Sequence, residues 1–326
     1  MKNYRFKKSH LVILICLLFI LLGGAYVYKR RGIPFVSQRE QWTIGIYRSH
    51  SPFSFNQLQG WINPLFRAEN VTDVPAKFVA DPFLVKEGDE WNLFFEVYNN
   101  DTKQGDLAVA TSKNTWKWDY QKLIIDEPFH LSYPYVFKAD DGYYLIPESF
   151  EANSIRLYKA DEFPTRWSFV KTLVEGRDYV DNSIVFYNGR WWLFSSVTSN
   201  DKLYLHYADS LMGPWKEHPQ SPIVVDDVHK SRPSGRLLVY NDRLYRFTMD
   251  IAPSVGTHAV MAYEITEITP ETYSEKLAQE APVIEASGSG WNGQAMHQLD
   301  PVQVDEDSWI ASVDGFGKYW IFGWQY

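Results

Sequence analysis

One phrase of about fifty residues recurs through this sequence, and a chain that repeats itself at that period has few folds open to it. The phrase is a polar residue, often followed by proline, then an apolar triplet, a short turn and an aromatic-rich strand. It appears first as Asp81-Pro82-Phe83-Leu84-Val85, Gly88, then Trp91-Asn92-Leu93-Phe94-Phe95. The second copy is Tyr133-Pro134-Tyr135-Val136-Phe137, Gly142, then Tyr143-Tyr144-Leu145-Ile146. The third is Asn182-Ser183-Ile184-Val185-Phe186, Gly189, then Trp191-Trp192-Leu193-Phe194. A fourth opens at Arg232-Pro233 and runs to Leu244-Tyr245, and a fifth opens at Asp300-Pro301 and runs to Trp309-Ile310. The opening residues are spaced by 52, 49, 50 and 68.

In the first four copies a second, alternating strand follows, with a ring residue about ten positions on: Leu107 to Ala110 with Trp116, Ile155 to Tyr158 with Trp167, Leu203 to Tyr207 with Trp215, Val260 to Tyr263 with Tyr273. Alternation at period two marks half-buried strands. Units of this size, with three or four short strands and glycine turns, are propeller blades, and five of them fill residues 75–326. The expected fold is therefore all-β, a five-bladed β-propeller preceded by an N-terminal transmembrane helix. Ring closure borrows a strand from the other end of the chain, and residues 42–47 (Trp-Thr-Ile-Gly-Ile-Tyr) are its expected source. A β-sandwich or barrel of similar hairpins is the alternative, but it gives no reason for five near-equal periods.

Composition agrees. Aromatic residues make up 17% of the chain, a load of β-forming rings that argues against a helical bundle. Hydrophobic residues at 45% and charged ones at 22% exclude a disordered or collagen-like chain. Residues 1–32 hold seven Lys and Arg and no acid, so the remainder carries a net charge of −15. A surface that acidic offers phosphates no basic face, and no nucleic-acid partner is expected. Cys16 is the only cysteine, so residues 33–326 hold no thiol for a disulfide, a zinc–thiolate site or a nucleophile.

Residues 11–28 read LVILICLLFILLGGAYVY, eighteen without a charge. As a helix they span roughly 27 Å, enough to cross a bilayer core. A cleaved signal peptide, with Gly23 and Ala25 before the cut, is the competing reading. Four basic residues before the run and three after it give the orientation rule little to separate, and it favours a cytoplasmic N-terminus. The expected organisation is a basic stub and signal-anchor over residues 1–32 and the propeller over 33–326, a single-pass membrane protein with the propeller on the extracytoplasmic side. The sequons Asn70-Val-Thr72 and Asn100-Asp-Thr102 matter only in a eukaryotic secretory path.

In a propeller the innermost strands converge, so the opening residue of each phrase rings a funnel. Here that ring is Asp81, Tyr133, Asn182 with Asp181 beside it, Arg232 and Asp300. Carboxyls converging in an aromatic-lined pocket suit glycoside cleavage, with one acid held protonated and another acting as base or nucleophile. Asp81 is the expected ionised partner, its competing role being a turn-capping aspartate before proline. Glu148, at the end of the second strand of blade two, is the expected proton donor; Glu96 occupies the corresponding place in blade one. His130 and His297 precede the second and fifth ring positions and are expected to bind sugar hydroxyls, or a metal with Asp300. No metal-ligand spacing supports a dedicated site, and no cofactor is expected. Arg232 and Arg156 suit an anionic sugar substituent or a structural ion pair. Trp61, Trp191, Trp192 and Trp291 are candidate stacking platforms, although most tryptophans sit inside the repeat phrase and read as core. There is no Gly-x-Ser-x-Gly elbow, P-loop or dinucleotide fingerprint.

With the phrases laid out, the sequence resembles the five-bladed propellers of glycoside hydrolase families 43, 32 and 68. More closely it resembles the family of the N-terminal domain of glucosamine inositolphosphorylceramide transferase. The matching stretches are Phe78-Val-Ala-Asp-Pro-Phe83, Glu127-Pro-Phe-His-Leu-Ser-Tyr-Pro-Tyr-Val136, Ile146-Pro-Glu-Ser149, Gly213-Pro-Trp-Lys-Glu-His-Pro219 and Ser231-Arg-Pro-Ser-Gly235, within residues 42–275. That resemblance implies that sugar transfer belongs to a separate C-terminal domain, which this sequence is expected to end before reaching. The hydrolase resemblance implies an aspartate of blade one as base or nucleophile, a second aspartate tuning the acid's pKa, and a later glutamate as acid. Asp81 matches the first and Asp181 the second, although the repeat register gives that place to Asn182. Where a blade-four glutamate would stand, this sequence has Arg232, and Glu148 lies in blade two.

The expected function is a membrane-anchored, glycoside hydrolase-like propeller that binds a glycan or glycolipid and cleaves or transfers it, with Asp81, Glu148 and Asp181 as catalytic residues. Its expected binding residues are His130, Tyr133, Asn182, Arg232, His297 and Asp300. The alternative is a non-catalytic glycan-recognition or assembly domain that assists a partner glycosyltransferase. A third class, a protein scaffold, would show a broad apolar or charged rim in place of a funnel.

Overall fold

The computed structural model describes residues 8–31, 36–57, 62–139, 141–251 and 259–322. It divides into two compact units, residues 1–40 with 318–326, and residues 41–317. The first contains α1 (Lys8–Arg31). All its described side chains, residues 13–26, are exposed, including Phe19, Ile20 and Leu21. Among the described residues, no helix is long and apolar enough to cross a membrane.

The strands form five sheets. The chain enters through β1 (Val36–Ser49). Blade one is β2 (Ala76–Glu87), β3 (Glu90–Asn99), β4 (Gln104–Ser112) and β5 (Asp119–Ile125). Blade two is β6 (Ser132–Ala139), β7 (Gly142–Glu148), β8 (Ser154–Glu162) and β9 (Arg166–Glu175). Blade three is β10 (Tyr179–Tyr187), β11 (Arg190–Val197) and β12 (Lys202–Ala208), with short β13 (Lys216–Glu217) and β14 (Val224–Val225) both on β12. Blade four is β15 (Leu238–Tyr240), β16 (Arg243–Met249) and β17 (Ala259–Ile268), with β18 (Tyr273–Leu277) and β19 (Ile284–Glu285) on β17. Blade five is β20 (Leu299–Asp305) and β21 (Ser308–Phe322), completed by β1 against β21. The expected five-bladed propeller and its closure by residues 42–47 are thus both present. Ile44 carries the fifth sheet one step further through a bridge to Phe66.

Turn chemistry explains the hairpins. Asn188-Gly189 and Asn241-Asp242 each have φ between +50° and +76°, the paired left-handed residues that a two-residue turn of matching twist requires. The inner strands are buried on both faces because each is sandwiched between neighbouring blades. Phe83, Tyr133, Tyr135, Tyr179 and Ile184 accordingly meet in one core cluster, all 2% exposed or less. Rings interlock edge to face there, as Phe83 does with Tyr133 at 4.9 Å.

The centre is closed by a side chain. Arg236 Nε lies 2.9 Å from Asp300 Oδ1, and its Nη1 donates to the Val136 carbonyl at 2.9 Å. Its Nη2 donates to Leu84 O at 3.4 Å, while Asp300 Oδ2 accepts the Leu84 N–H at 2.6 Å. One guanidinium therefore joins the inner strands of blades one, two and five.

Candidate functional site

The site is built on a backbone irregularity repeated in three blades. Strands β2, β6 and β10 each break register with their neighbours, between Ala80 and Phe83, Ser132 and Tyr135, and Val180 and Ser183. Within each break one residue adopts positive φ: Asp81 at 52°, Tyr133 at 47° and Asp181 at 50°. A bulge of this kind re-aims a side chain, and each such conformation costs about 1–3 kcal/mol that the surroundings must offset. Three equivalent outliers around one centre, two of them aspartates, mark this end of the molecule.

The carboxylates there are nearly all buried. Asp81, Glu96, Glu148, Asp181 and Asp314 are each 6% exposed or less. Two cations divide four of them. Arg232 bonds Asp181 through Nε, its Nη2 lies 3.5 Å from Glu148 Oε2, and its Nη1 donates to Asn200 Oδ1 at 2.9 Å. His297 bridges the other two, with Nε2 3.0 Å from Asp81 Oδ1 and Nδ1 2.9 Å from Asp314 Oδ1, the latter an ion-pair contact off the hydrogen-bond direction. Burial opposes charge on His297, but Asp314 and Asp81 outweigh it and hold the imidazole well above its ordinary pKa. Backbone amides complete the frame: Asp81 N donates to Asp314 Oδ2 at 3.1 Å, Tyr133 N to Asp81 Oδ2 at 3.1 Å and Asp181 N to Glu148 Oε2 at 3.2 Å. Trp42 covers His297 at a centroid distance of 4.2 Å, a favourable placement for a ring beside an imidazolium.

Glu148 and Glu96 are both pushed well above the usual carboxylate range, first by burial. For Glu148 the Asp181 charge adds to this and Arg232 opposes it; for Glu96 the charges of Asp81 and Glu148 add. Beside Glu96 stands His130, whose Nε2 is 3.7 Å from Glu96 Oε1. Its Nδ1 accepts the Gly105 N–H at 2.9 Å. Gly105 is required there, since a Cβ would overlap the Leu131 carbonyl and approach Glu96 Oε1 to 2.7 Å.

Asp81, His297 and Asp314 present three metal-ligand atoms within 4.8 Å of one another. Both ring nitrogens of His297 face carboxylate oxygens, at 3.0 Å and 2.9 Å, the placement of an imidazolium between two acids.

Six of the nine expected site residues reach this mouth, and three do not. Asp81, Arg232, His297, His130, Glu148 and Asp181 are there. Asn182 is not: the bulge gives the ring place in blade three to Asp181, and Asn182 turns inward, donating to Pro147 O at 2.8 Å and accepting from Ser195 Oγ at 2.7 Å. Tyr133 contributes only its amide, because its fully buried hydroxyl donates to Gly235 O at 3.0 Å and lies 2.9 Å from Ser183 Oγ. Asp300 is the partner of Arg236 at the sealed centre. Leu84, which it binds, lies three residues beyond Asp81 along β2, about 10 Å at 3.3 Å per residue. Asp314 was missed, although it stands five residues after Trp309 as Glu96 does after Trp91 and Glu148 after Tyr143, and that shared spacing of ring and acid is the signal.

Of the tryptophans, Trp192 and Trp291 are buried at 2% and 6% and serve the core, and Trp61 lies outside the described residues. Trp191 is half-buried and lines, with Lys138, Phe186 and Met212, a cavity of about 610 Å³. That cavity sits by the hairpin turns, at the opposite end of the inner strands from Asp81. Arg156 lies at 3.7 Å from Glu127 and over the Phe169 ring, outside this network.

Comparison with known proteins agrees with this architecture. Among solved structures, the chain is similar to the Podospora anserina α-L-arabinofuranosidase PaAbf62A, with a TM-score of 0.53 and 13% identity over 85% of this chain and 97% of that one. It is also similar to Bacteroides ovatus xyloglucan PUL GH43B, with a TM-score of 0.55 and 13% identity over 76% and 53%. These likenesses concern the fold. In sequence, the chain is 36% identical over 302 residues to glucosamine inositolphosphorylceramide transferase 1 of Oryza sativa subsp. indica, covering 84% of this chain and 40% of the relative. The Arabidopsis thaliana protein of the same name is 33% identical over 300 residues, covering 84% and 39%. The chain thus spans about two fifths of the length of these relatives. The family described as glucosamine inositolphosphorylceramide transferase 1, N-terminal, matches residues 36–316, which is β1 through most of β21. A carbohydrate-related propeller that matches a family profile from its closing strand to its last blade belongs to that family, the N-terminal domain of glucosamine inositolphosphorylceramide transferase 1.

Proposed function

We propose that this propeller recognises the sugar headgroup of a glycolipid in its carboxylate-lined mouth, without hydrolysing it, beside a partner glycosyltransferase at a membrane. The observation that carries this reading is how the two cations are engaged. Glycoside cleavage needs one carboxyl held as acid and another free to act as base or nucleophile on the opposite side of the bond. Here Arg232 holds Asp181 and Glu148 together, and His297 sits on Asp81. Where the resemblance to hydrolases looks for an acid in blade four, that same Arg232 stands. Fixed, paired carboxylates accept hydrogen bonds from sugar hydroxyls, which is what recognition requires. The relatives' names speak of a transferase, of glucosamine, an amino sugar, and of inositolphosphorylceramide, a ceramide lipid with an inositol phosphate headgroup. Anchoring by α1 is supported by the eighteen-residue uncharged run over residues 11–28 and by the exposure of every described apolar side chain on that helix.

The test is a glycan array probed with the full-length chain in detergent, followed by sugar-release assays on every glycan bound. Binding without released sugar is the expected result. Asp81→Asn, which removes a charged acceptor, weakens that binding by about tenfold, or ~1.4 kcal/mol. Turnover of a bound glycan would refute the non-hydrolytic reading, and an empty array would refute recognition.

A further inference from the structure

The mouth holds more carboxyls than cations, and one of those carboxyls has no charged partner at all. Among the described residues of the site, five carboxyls meet two cations: Arg232 with Asp181 and Glu148, and His297 with Asp81 and Asp314. Glu96 is the carboxyl left over. Its neighbour His130 cannot supply a charge in this arrangement. The Gly105 amide can only donate, so the His130 Nδ1 it faces at 2.9 Å must be an acceptor without a proton. The ring is therefore neutral, with its one N–H on Nε2, turned toward Glu96 Oε1 at 3.7 Å, beyond hydrogen-bond reach. Burial pushes the His130 pKa down, in agreement with that tautomer.

Every other charged group facing Glu96 also disfavours its ionisation or is engaged elsewhere. Asp81 on β2, Glu148 on β7 and Asp314 on β21 all repel a carboxylate there, and only His297 opposes them. A carboxyl 5% exposed, without a cation of its own and surrounded by three acids, keeps its proton.

We infer that Glu96 is the hydrogen-bond donor of this mouth, a neutral carboxylic acid that reads an uncharged oxygen of the bound sugar, with His130 and Gly105 as the residues that position it. This rests on the glycan-recognition reading above. An acid with no free base facing it donates a hydrogen bond and keeps its proton. The consequence is a pH dependence of defined sign. Donor strength is present at low and neutral pH and is lost as pH rises through the Glu96 pKa. The fold follows the same course: a carboxyl with a raised folded-state pKa lowers stability as pH climbs above the unfolded value.

Infrared difference spectra of the full-length chain in detergent test the proton directly. Wild type minus Glu96→Gln at pH 7 should contain a carboxylic-acid carbonyl band, and a difference holding only carboxylate bands overturns the assignment whatever the array shows. The same variant then goes to the glycan array from pH 6 to pH 9. Gln keeps a neutral donor, so Glu96→Gln should bind the array's glycans within threefold of wild type and lose the wild-type decline at high pH. Glu96→Ala should lose at least tenfold at pH 7. Equal loss in both variants, or an unchanged pH profile in Glu96→Gln, overturns the donor role. An acid band together with an empty array leaves the proton on Glu96 but removes the sugar, and with it the reading of the site.

Discussion

At the scale of single residues, burial decides which side chains respond to acid. His206 on β12 is 3% exposed, 3.5 Å from the Tyr179 hydroxyl and 3.9 Å from Glu217. Burial, only partly opposed by Glu217, pushes its pKa down to about 4. The unfolded chain protonates this imidazole near pH 6.5 and the folded one does not, so stability is intact above that pH and is lost as pH falls from 6.5 toward 4, by about 3 kcal/mol in all. Urea unfolding at pH 7 and pH 5 should show His206→Gln losing about 2 kcal/mol less than wild type over that interval. Equal losses would place the acid sensitivity elsewhere. Legibility also varied residue by residue. Asp81 could be read because Asp-Pro opens an apolar strand, a local pattern. Asp181 could not be separated from Asn182, since a bulge adds a residue without altering the apolar alternation on either side. Asp300 misled for the opposite reason: β20 has no bulge at its opening residue, so the same phrase sets it beside the centre and leaves the mouth to His297 and Asp314.

At the scale of elements, the bulges and the inner strands depend on close approach. Gly235, with φ of 106°, lies where a Cβ would overlap the Leu299 carbonyl, and its own carbonyl and amide both meet the Tyr133 hydroxyl. The strained Tyr133 is held in place by those contacts, which tie blade two to the entry of blade four. Gly235→Ala combines an unfavourable backbone with overpacking and should cost about 3 kcal/mol. A domain of this size then melts about 5 °C lower, which scanning calorimetry would show. A melting point within 2 °C of wild type would mean that the centre relaxes more freely than its packing implies. Hairpin turns such as Asn188-Gly189 were visible beforehand because their chemistry is local. The acid that β3, β7 and β21 each carry five residues after a ring residue was not used, because facing carboxyls come together only once the blades are arranged in a ring.

At the scale of the whole molecule, closure is the cooperative step. Without β1, blade five has β20 and β21 alone, and Ile44 and Ile46 leave a core that also holds Phe66, Phe95 and Ile310. A chain beginning at residue 33 should stay folded and, on the anchoring proposed above, leave the membrane fraction, whereas one beginning at residue 50 should lose its cooperative thermal transition. A sharp transition in the shorter chain would show that the ring does not need its borrowed strand. Repeat period, blade number and closing strand were all legible because each depends on periodicity. The pairings of Arg232 with Asp181 and of His297 with Asp81 were not, because they join residues 51 and 216 positions apart. The Arg236 guanidinium has one last effect. By stoppering the hub it turns the mouth into a cul-de-sac, so no polymer can be threaded through it. On the recognition proposed above, a ligand would reach the acids from one side of the ring and leave by that same side.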